Sequence, residues 1–123
     1  MSNTMLLGRY GEAVAAEYLR KMRYTILGLN YRTRLGELDI IASKGNYVAF
    51  VEVKLRKDDS FAQAREFVTR SKQLRLIAAA QEWIRESGCV LQPRFDVMEV
   101  YAPRGTETRD PLIRHWENAF SAD

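Results

Sequence analysis

Asp39, Glu52 and Lys54 are the residues of this 123-residue chain whose types and spacing could do chemistry. Glu37-Leu-Asp-Ile-Ile-Ala42 and Tyr47-Val-Ala-Phe-Val-Glu-Val-Lys54 read as two strands joined by turn residues, Ser43-Lys-Gly-Asn46. Alternate side chains of a strand share a face, so Glu37, Asp39 and Ile41 are expected together, as are Phe50, Glu52 and Lys54. Gly45 before Asn46 suits a two-residue type II′ turn, which pairs Lys44 with Tyr47. That register sets Asp39 opposite Glu52 and Glu37 opposite Lys54. A four-residue turn would instead pair Glu37 with Glu52 and leave Asp39 diagonal to Glu52 on the same face. Val48, Ala49, Phe50, Val51 and Val53 surround the charges of the second run, as in a central strand with little solvated surface. Facing carboxylates repel, by up to about 1 kcal/mol in exposed sheets and by more when desolvated. Asp39 against Glu52 therefore suggests a cation between them. Magnesium binds through one or two carboxylates and keeps waters for a substrate phosphate. Lys54 beside the pair could hold an attacking water or offset charge on the phosphate. The set suits metal-assisted phosphodiester hydrolysis. The bland alternative is a solvated hairpin face carrying Glu37–Lys54 and similar pairs.

The elements that must position these residues follow from periodicity. Gly8 to Met22 predicts a helix, with Val14, Tyr18 and Met22 on one face and Glu12 in the first turn, where a carboxylate suits the helix dipole. Tyr24-Thr-Ile-Leu27 is a short strand-like run that Leu29-Asn-Tyr-Arg32 continues past Gly28. Arg56 to Arg70 is polar and ambiguous, most loop-like at Lys57-Asp-Asp-Ser60. Thr69 or Ser71 caps a long helix that stops at Gly88, with Leu76, Ala79, Ala80, Trp83 and Ile84 as its apolar stripe. Phe95 to Tyr101 alternates as a strand, Pro103 to Pro111 reads as loop, and Leu112 to Phe120 is a short tail element of weak pattern. Helix, three strands, helix, strand is an α/β order with a mixed sheet, and the long helix reads as a right-handed crossover between parallel strands.

Composition removes several classes. Hydrophobic residues make up 46% and charged residues 28%, which fits one soluble domain over residues 1–123. No apolar run approaches the ~20 residues of a membrane span, and Met1 to Gly8 does not read as a signal peptide. The single Cys89 argues for a reducing, cytoplasmic setting, and one Cys with one His (His115) cannot build the usual zinc site. His115 and Trp116 read as packing or interface residues, and Tyr47 as an exposed turn aromatic.

Asp39 followed thirteen positions later by Glu52-Val-Lys54 resembles the Asp…Glu-x-Lys signature of the restriction-endonuclease-like nucleases. Beyond that signature, Gly8-Arg-Tyr-Gly-Glu12, Asn30-Tyr-Arg32, Gly36 to Ala42, Phe50 to Lys54 with Arg56, Val68-Thr69, Lys72, Arg75-Leu76, Arg94-Phe-Asp-Val97 and Asn118-Ala-Phe120 resemble, in order, the bacterial YraN family. Members of that family look like Holliday-junction resolvases. The resemblance implies a restriction-endonuclease-like fold, a central mixed sheet flanked by helices. It implies Asp39 and Glu52 as ligands of Mg²⁺ or Mn²⁺, Lys54 as the catalytic lysine and Glu12 as a helix glutamate joining the site. Glu37 would be an outer member of the site or a partner of Lys54. Two departures stand out: Leu38 precedes Asp39 where the superfamily motif has proline, and Ser60 to Arg65 lacks an expected glycine.

The net charge of +3 is unevenly spread. Residues 20–34 carry five basic residues and no acidic one; residues 54–76 carry seven basic against three acidic. Two basic segments around an acidic hairpin suit a groove holding DNA backbone, with Arg32, Arg34, Arg56, Lys72 and Arg75 as the candidate contacts. Lys72, at the start of the long helix, is placed to meet the scissile phosphate. Absence of a recognition helix or base-reading array implies recognition of backbone and shape. The expected function is a metal-dependent DNA endonuclease acting on branched or junction DNA, as a homodimer because two symmetric strands must be cut. The alternatives are a non-catalytic nucleic-acid-binding module on the same scaffold and a protein-interaction subunit of a larger DNA-processing machine.

Overall fold

The hairpin forms as its turn chemistry requires. In a computed structural model, which describes residues 3–57 and 68–122, β2 (Glu37–Lys44) and β3 (Tyr47–Arg56) are antiparallel, and Lys44 pairs with Tyr47. Gly45 has φ 58° and Asn46 is not among the residues with positive φ, the signature of a type II′ turn. The paired register runs only as far as Ile40 against Val51. Asp39 and Glu52 are therefore not a ladder pair, and the two strands part where the carboxylates begin.

The side-chain alternation expected over 37–41 also breaks there. Leu38 and Ile41 lie in one core cluster, whereas Ile40 and Ala42 lie in the other. On the neighbouring β1 (Thr25–Arg32), Leu29 pairs with Ile40 and Tyr31 with Leu38. Between them stands Asn30, in the left-handed region at φ 52°, which turns the strand locally as asparagine tolerates. The two short runs on either side of Gly28 are thus one strand, with a register irregularity between Ile26 and Gly28.

Helix α1 (Asn3–Lys21) precedes these strands, and helix α2 (Arg70–Ser87) leads into β4 (Gln92–Tyr101), which runs parallel to β3 from Tyr47↔Gln92 to Arg56↔Tyr101. The parallel pairing expected of the crossover thus holds. β5 (Leu112–Phe120), the tail element, is an antiparallel edge strand on β4, and the five strands lie in sequence order. The result is an α/β arrangement, a five-stranded mixed sheet flanked by two helices, as expected of a restriction-endonuclease-like fold. One face packs Leu38, Phe50, Phe95 and Val97 with Leu76 and Ile77 of α2; the other packs Ile40, Val51, Met98 and Val100 with Ala15, Ala16 and Leu19 of α1. Because both faces are covered, the first half of β3 reads as a continuous apolar run, Val48 to Val51.

Two helix boundaries bear on the site. Thr69, not Ser71, caps α2: its Oγ1 accepts a bond from the Lys72 N–H at 3.1 Å, and Gly88 ends the helix at φ 71°. Helix α1 begins at Asn3 rather than Gly8, so Glu12 is its tenth residue and not a first-turn dipole partner. The extra turn docks on the segment after β4: Leu7 lies against Gly105, and the Tyr10 hydroxyl donates to the Thr108 carbonyl at 3.3 Å. The loop expected at 57–60 (apart from Lys57) and the stretch 60–65 fall outside the described residues. Among the described residues no helix is long and apolar enough to cross a membrane.

Candidate active site

Where β2 leaves the ladder, the Val53 N–H needs another acceptor, and the Asp39 side chain supplies it: Oδ2 accepts that bond at 2.9 Å. Burial, reinforced by the negative charge of Glu52, pushes the Asp39 carboxyl up to about 7 although the Val53 bond pulls the other way. Glu12 and Glu37 add to the same repulsion. Glu52 itself is only 7% exposed, on central strand β3. Two ammonium groups meet its Oε1: Lys72 Nζ at 2.8 Å and Lys54 Nζ at 3.8 Å.

Glu12 reaches this neighbourhood from α1. Burial, opposed by a hydrogen bond with Asn30 and aided by the charges of Glu37 and Glu52, holds its carboxyl above the ordinary range. The left-handed Asn30 thus both bends β1 and holds Glu12. Burial and the neighbouring Lys72 charge lower the Lys54 pKa. For Lys72 the burial effect is outweighed by its hydrogen bond to Glu52, and its pKa is raised. The site therefore joins four carboxylates, Glu12, Glu37, Asp39 and Glu52, to two lysines drawn from different elements.

Several sequence expectations are redrawn. Glu37 pairs with Arg32 at 3.5 Å instead of standing opposite Lys54, because β2 has already diverged from β3 and stays on β1. Lys72, expected on a DNA phosphate, is turned onto Glu52. Arg56 is not in the same groove as Arg34; its Nε lies 3.4 Å from Glu99 Oε2. Arg32, Arg34 and Arg75 do come together, lining one groove with Thr33, Gly36 and Glu37. The turn carrying Arg34 is held by Thr33, whose Oγ1 accepts the N–H groups of Leu35 and Gly36, each at 3.0 Å. Gly36 lies so close to α2 that a Cβ there would stand 2.6 Å from the Arg75 carbonyl oxygen.

Beside this site the sequence reading missed a buried polar framework on β4. Asp96 is fully buried; Arg94 grips both its oxygens at 2.9 and 2.8 Å, His115 Nε2 lies at 2.7 Å, and the Asn118 N–H donates at 3.0 Å. Burial raises the Asp96 pKa, but these bonds more than offset it and hold the carboxyl below the usual range. On the other face Glu99 accepts from Trp116 Nε1 at 2.8 Å and from the Tyr101 hydroxyl at 2.9 Å. His115 and Trp116 are packing residues, as expected, and also the partners of these two acids. The available signal was two acids in an otherwise apolar central strand, which burial obliges to find donors.

Among the described residues no group of three or more His, Cys, Asp or Glu side chains forms a ready metal cluster. The donor set is instead two carboxylates, Asp39 and Glu52, with hard oxygen atoms and an excess of confined negative charge. That fits a cation of the Mg²⁺ or Mn²⁺ type, which takes few protein ligands and keeps waters.

Comparison with known proteins gives this chain relatives over nearly its whole length. The profile of the uncharacterised protein family UPF0102 matches residues 11–100. A UPF0102 protein of Rhodococcus jostii (strain RHA1) is 40% identical over 121 residues, covering 98% of this chain and 100% of the relative. One from Alkaliphilus metalliredigens is 44% identical over 115 residues, covering 93% and 96% of the two chains. One from Caldicellulosiruptor saccharolyticus is 43% identical over 119 residues, covering 96% and 99%.

Proposed function

The chain belongs to the uncharacterised protein family UPF0102, the family of the YraN resemblance, and from that premise we propose that it is a divalent-cation-dependent DNA endonuclease. The observation that carries the reading is the confinement of Asp39 beside Glu52, with its carboxyl pushed up to about 7 and two lysines at hand. A protein that needed only stability would not retain such repulsion, since paired or apolar groups there would fold better. Asp39 and Glu52 would hold the cation. When bound, Mg²⁺ or Mn²⁺ would offset the charge that builds on the phosphoryl oxygens during hydrolysis. The Val53 N–H fixes the Asp39 carboxylate, so little reorganisation remains to be done. Lys54, whose ammonium lies 3.8 Å from Glu52 Oε1, is suited to hold the attacking water and to offset the charge that develops on the phosphate. Glu12, held by Asn30, adds a third carboxylate able to orient that water.

The groove of Arg32, Arg34 and Arg75 would carry the DNA backbone into the site. It offers phosphate contacts and no base-reading element, which favours branched or junction DNA recognised by shape, cut by a homodimer in the cytoplasm. The second reading, a DNA-binding module without turnover, is favoured by one observation: Asp39 and Glu52 do not line the groove of Arg32, Arg34 and Arg75, so these arginines would bind DNA without that pair. Purified protein is expected to nick a four-way junction or linear duplex in Mn²⁺, and the Asp39→Ala, Glu52→Ala double variant to bind DNA without nicking it. Equal nicking by the two proteins overturns the nuclease reading; binding by both with nicking by neither supports the binding module.

A further inference from the structure

Glu52 is confined on a central strand, and an unpaired carboxylate there would be costly, so something must neutralise it when no divalent cation is bound. Lys72 does this at 2.8 Å, a full ångström closer than Lys54. The two lysines differ in a second respect. The Lys54 side chain is 21% exposed and rises from the same strand as Glu52, whereas that of Lys72 is 43% exposed and reaches in from the first turn of α2. A long side chain anchored on a helix with its head near water can swing out to solvent at small cost. Asp39, by contrast, forms no ion pair among the described residues, and its carboxylate is held by the Val53 N–H. The ammonium of Lys72 therefore sits on the carboxylate that a cation shared by Asp39 and Glu52 would need.

We propose that Lys72 is the exchangeable counter-ion of this site: its ammonium occupies Glu52 Oε1 and is displaced toward solvent when a divalent cation binds. Lys72 is thus a positioning residue for Glu52, and it sets the threshold for cation binding. The proposal rests on the reading that Asp39 and Glu52 hold the cation, but it does not require that DNA be cleaved.

The experiment is titration of metal-free protein with Mn²⁺ alone, followed by calorimetry or by the electron spin resonance of free Mn²⁺. Lys72→Met is expected to bind Mn²⁺ about tenfold more tightly than the wild type, because a charge-assisted bond no longer competes. Arg70→Met removes the same charge from the same helical turn, where Arg70 bonds only Gln73 among the described residues, and is expected to stay within about twofold. In a Glu52→Gln background, Lys72→Met should change nothing. If Lys72→Met fails to fold by circular dichroism, Lys72→Gln takes its place. Wild-type or weaker affinity in the Lys72 variant, an equal gain in Arg70→Met, or no Mn²⁺ binding by any of the proteins overturns the proposal. Tighter Mn²⁺ binding without DNA cleavage leaves the counter-ion standing and removes the nuclease. Cleavage with unchanged affinity does the reverse.

Discussion

Ionised Asp39 costs the metal-free protein stability, because burial and the charge of Glu52 disfavour its carboxylate in the fold. A carboxyl whose pKa is higher in the folded than in the unfolded chain favours the fold while protonated. That contribution is complete below the ordinary value of 3.8 and is lost as pH climbs through about 7. The shift sets a ceiling of about 4 kcal/mol at 1.36 kcal/mol per unit, reduced because a folded site relaxes and hydrates around a buried charge. In chelator, Asp39→Asn is therefore expected to match the wild type below pH 4 and to exceed it by about 2 kcal/mol at pH 8. Urea denaturation across that range measures it; a difference that does not vary with pH would refute the electrostatic origin. The amide can still accept the Val53 bond, so the variant tests charge and not geometry. At this scale Glu52 and Lys54 were legible from strand alternation, and Glu12 from the family resemblance; Asp39 was legible from the turn register as a neighbour of Glu52, but not the break in alternation and pairing that turns it onto the Val53 N–H. Lys72 was legible as a basic residue near the site but not as the partner of Glu52, because its placement depends on how α2 packs across the sheet, which no local pattern encodes.

Elements were legible where local chemistry decides them. The Gly45 turn, the Thr69 and Gly88 caps and the crossover to a parallel strand are set by a few residues each. The first turn of α1 was not, and β5 was legible in its bounds but not as a strand, because tertiary contacts decide both. Leu7 and Tyr10 dock on the segment after β4, and β5 exists as a strand because β4 offers it a partner. His115 and Trp116 are neighbours on β5 and point to opposite faces, which lets one strand serve Asp96 on one side and Glu99 on the other. Gly36 shows what a single close approach demands between elements. A methyl group there would stand 2.6 Å from the Arg75 carbonyl, a backbone atom that cannot rotate away. Gly36→Ala must push the start of β2 off α2, at a cost of about 2 kcal/mol by analogy with overpacked cores. The same displacement would move Glu37 and Asp39. The expected result, by chemical denaturation and Mn²⁺ titration together, is lower stability with weakened metal binding. Unchanged stability would mean that the β2 turn and α2 are not held together as described.

At the scale of the whole molecule, the basic segment at 20–34 is not one surface. Arg20 and Lys21 end α1 beside the start of β1, whereas Arg32 and Arg34 lie at and just past its far end. Eight residues of strand span roughly 25 Å, so linear charge counting merged two separate patches. Only the Arg32–Arg34 end adjoins the carboxylates, and it gains Arg75 from α2, forty-one positions along the chain from Arg34. Within it all three arginines are exposed, but Arg32 is partly committed to Glu37, which leaves Arg34 and Arg75 as those without an ion pair among the described residues. If DNA backbone lies in this groove, each phosphate contact releases about one counterion, and the logarithm of affinity falls linearly with that of salt concentration. Arg34→Ala and Arg75→Ala should each reduce that slope by about one and weaken binding alike for all sequences, whereas Arg20→Ala should leave it unchanged. Fluorescence anisotropy of a labelled four-way junction and a labelled duplex between 50 and 200 mM salt, about the range where such slopes are resolved, gives the measurement. An Arg20→Ala slope reduced as much as that of Arg34→Ala would mean that DNA is held by diffuse charge and not led to the carboxylates, and the groove would lose its part in the proposed chemistry.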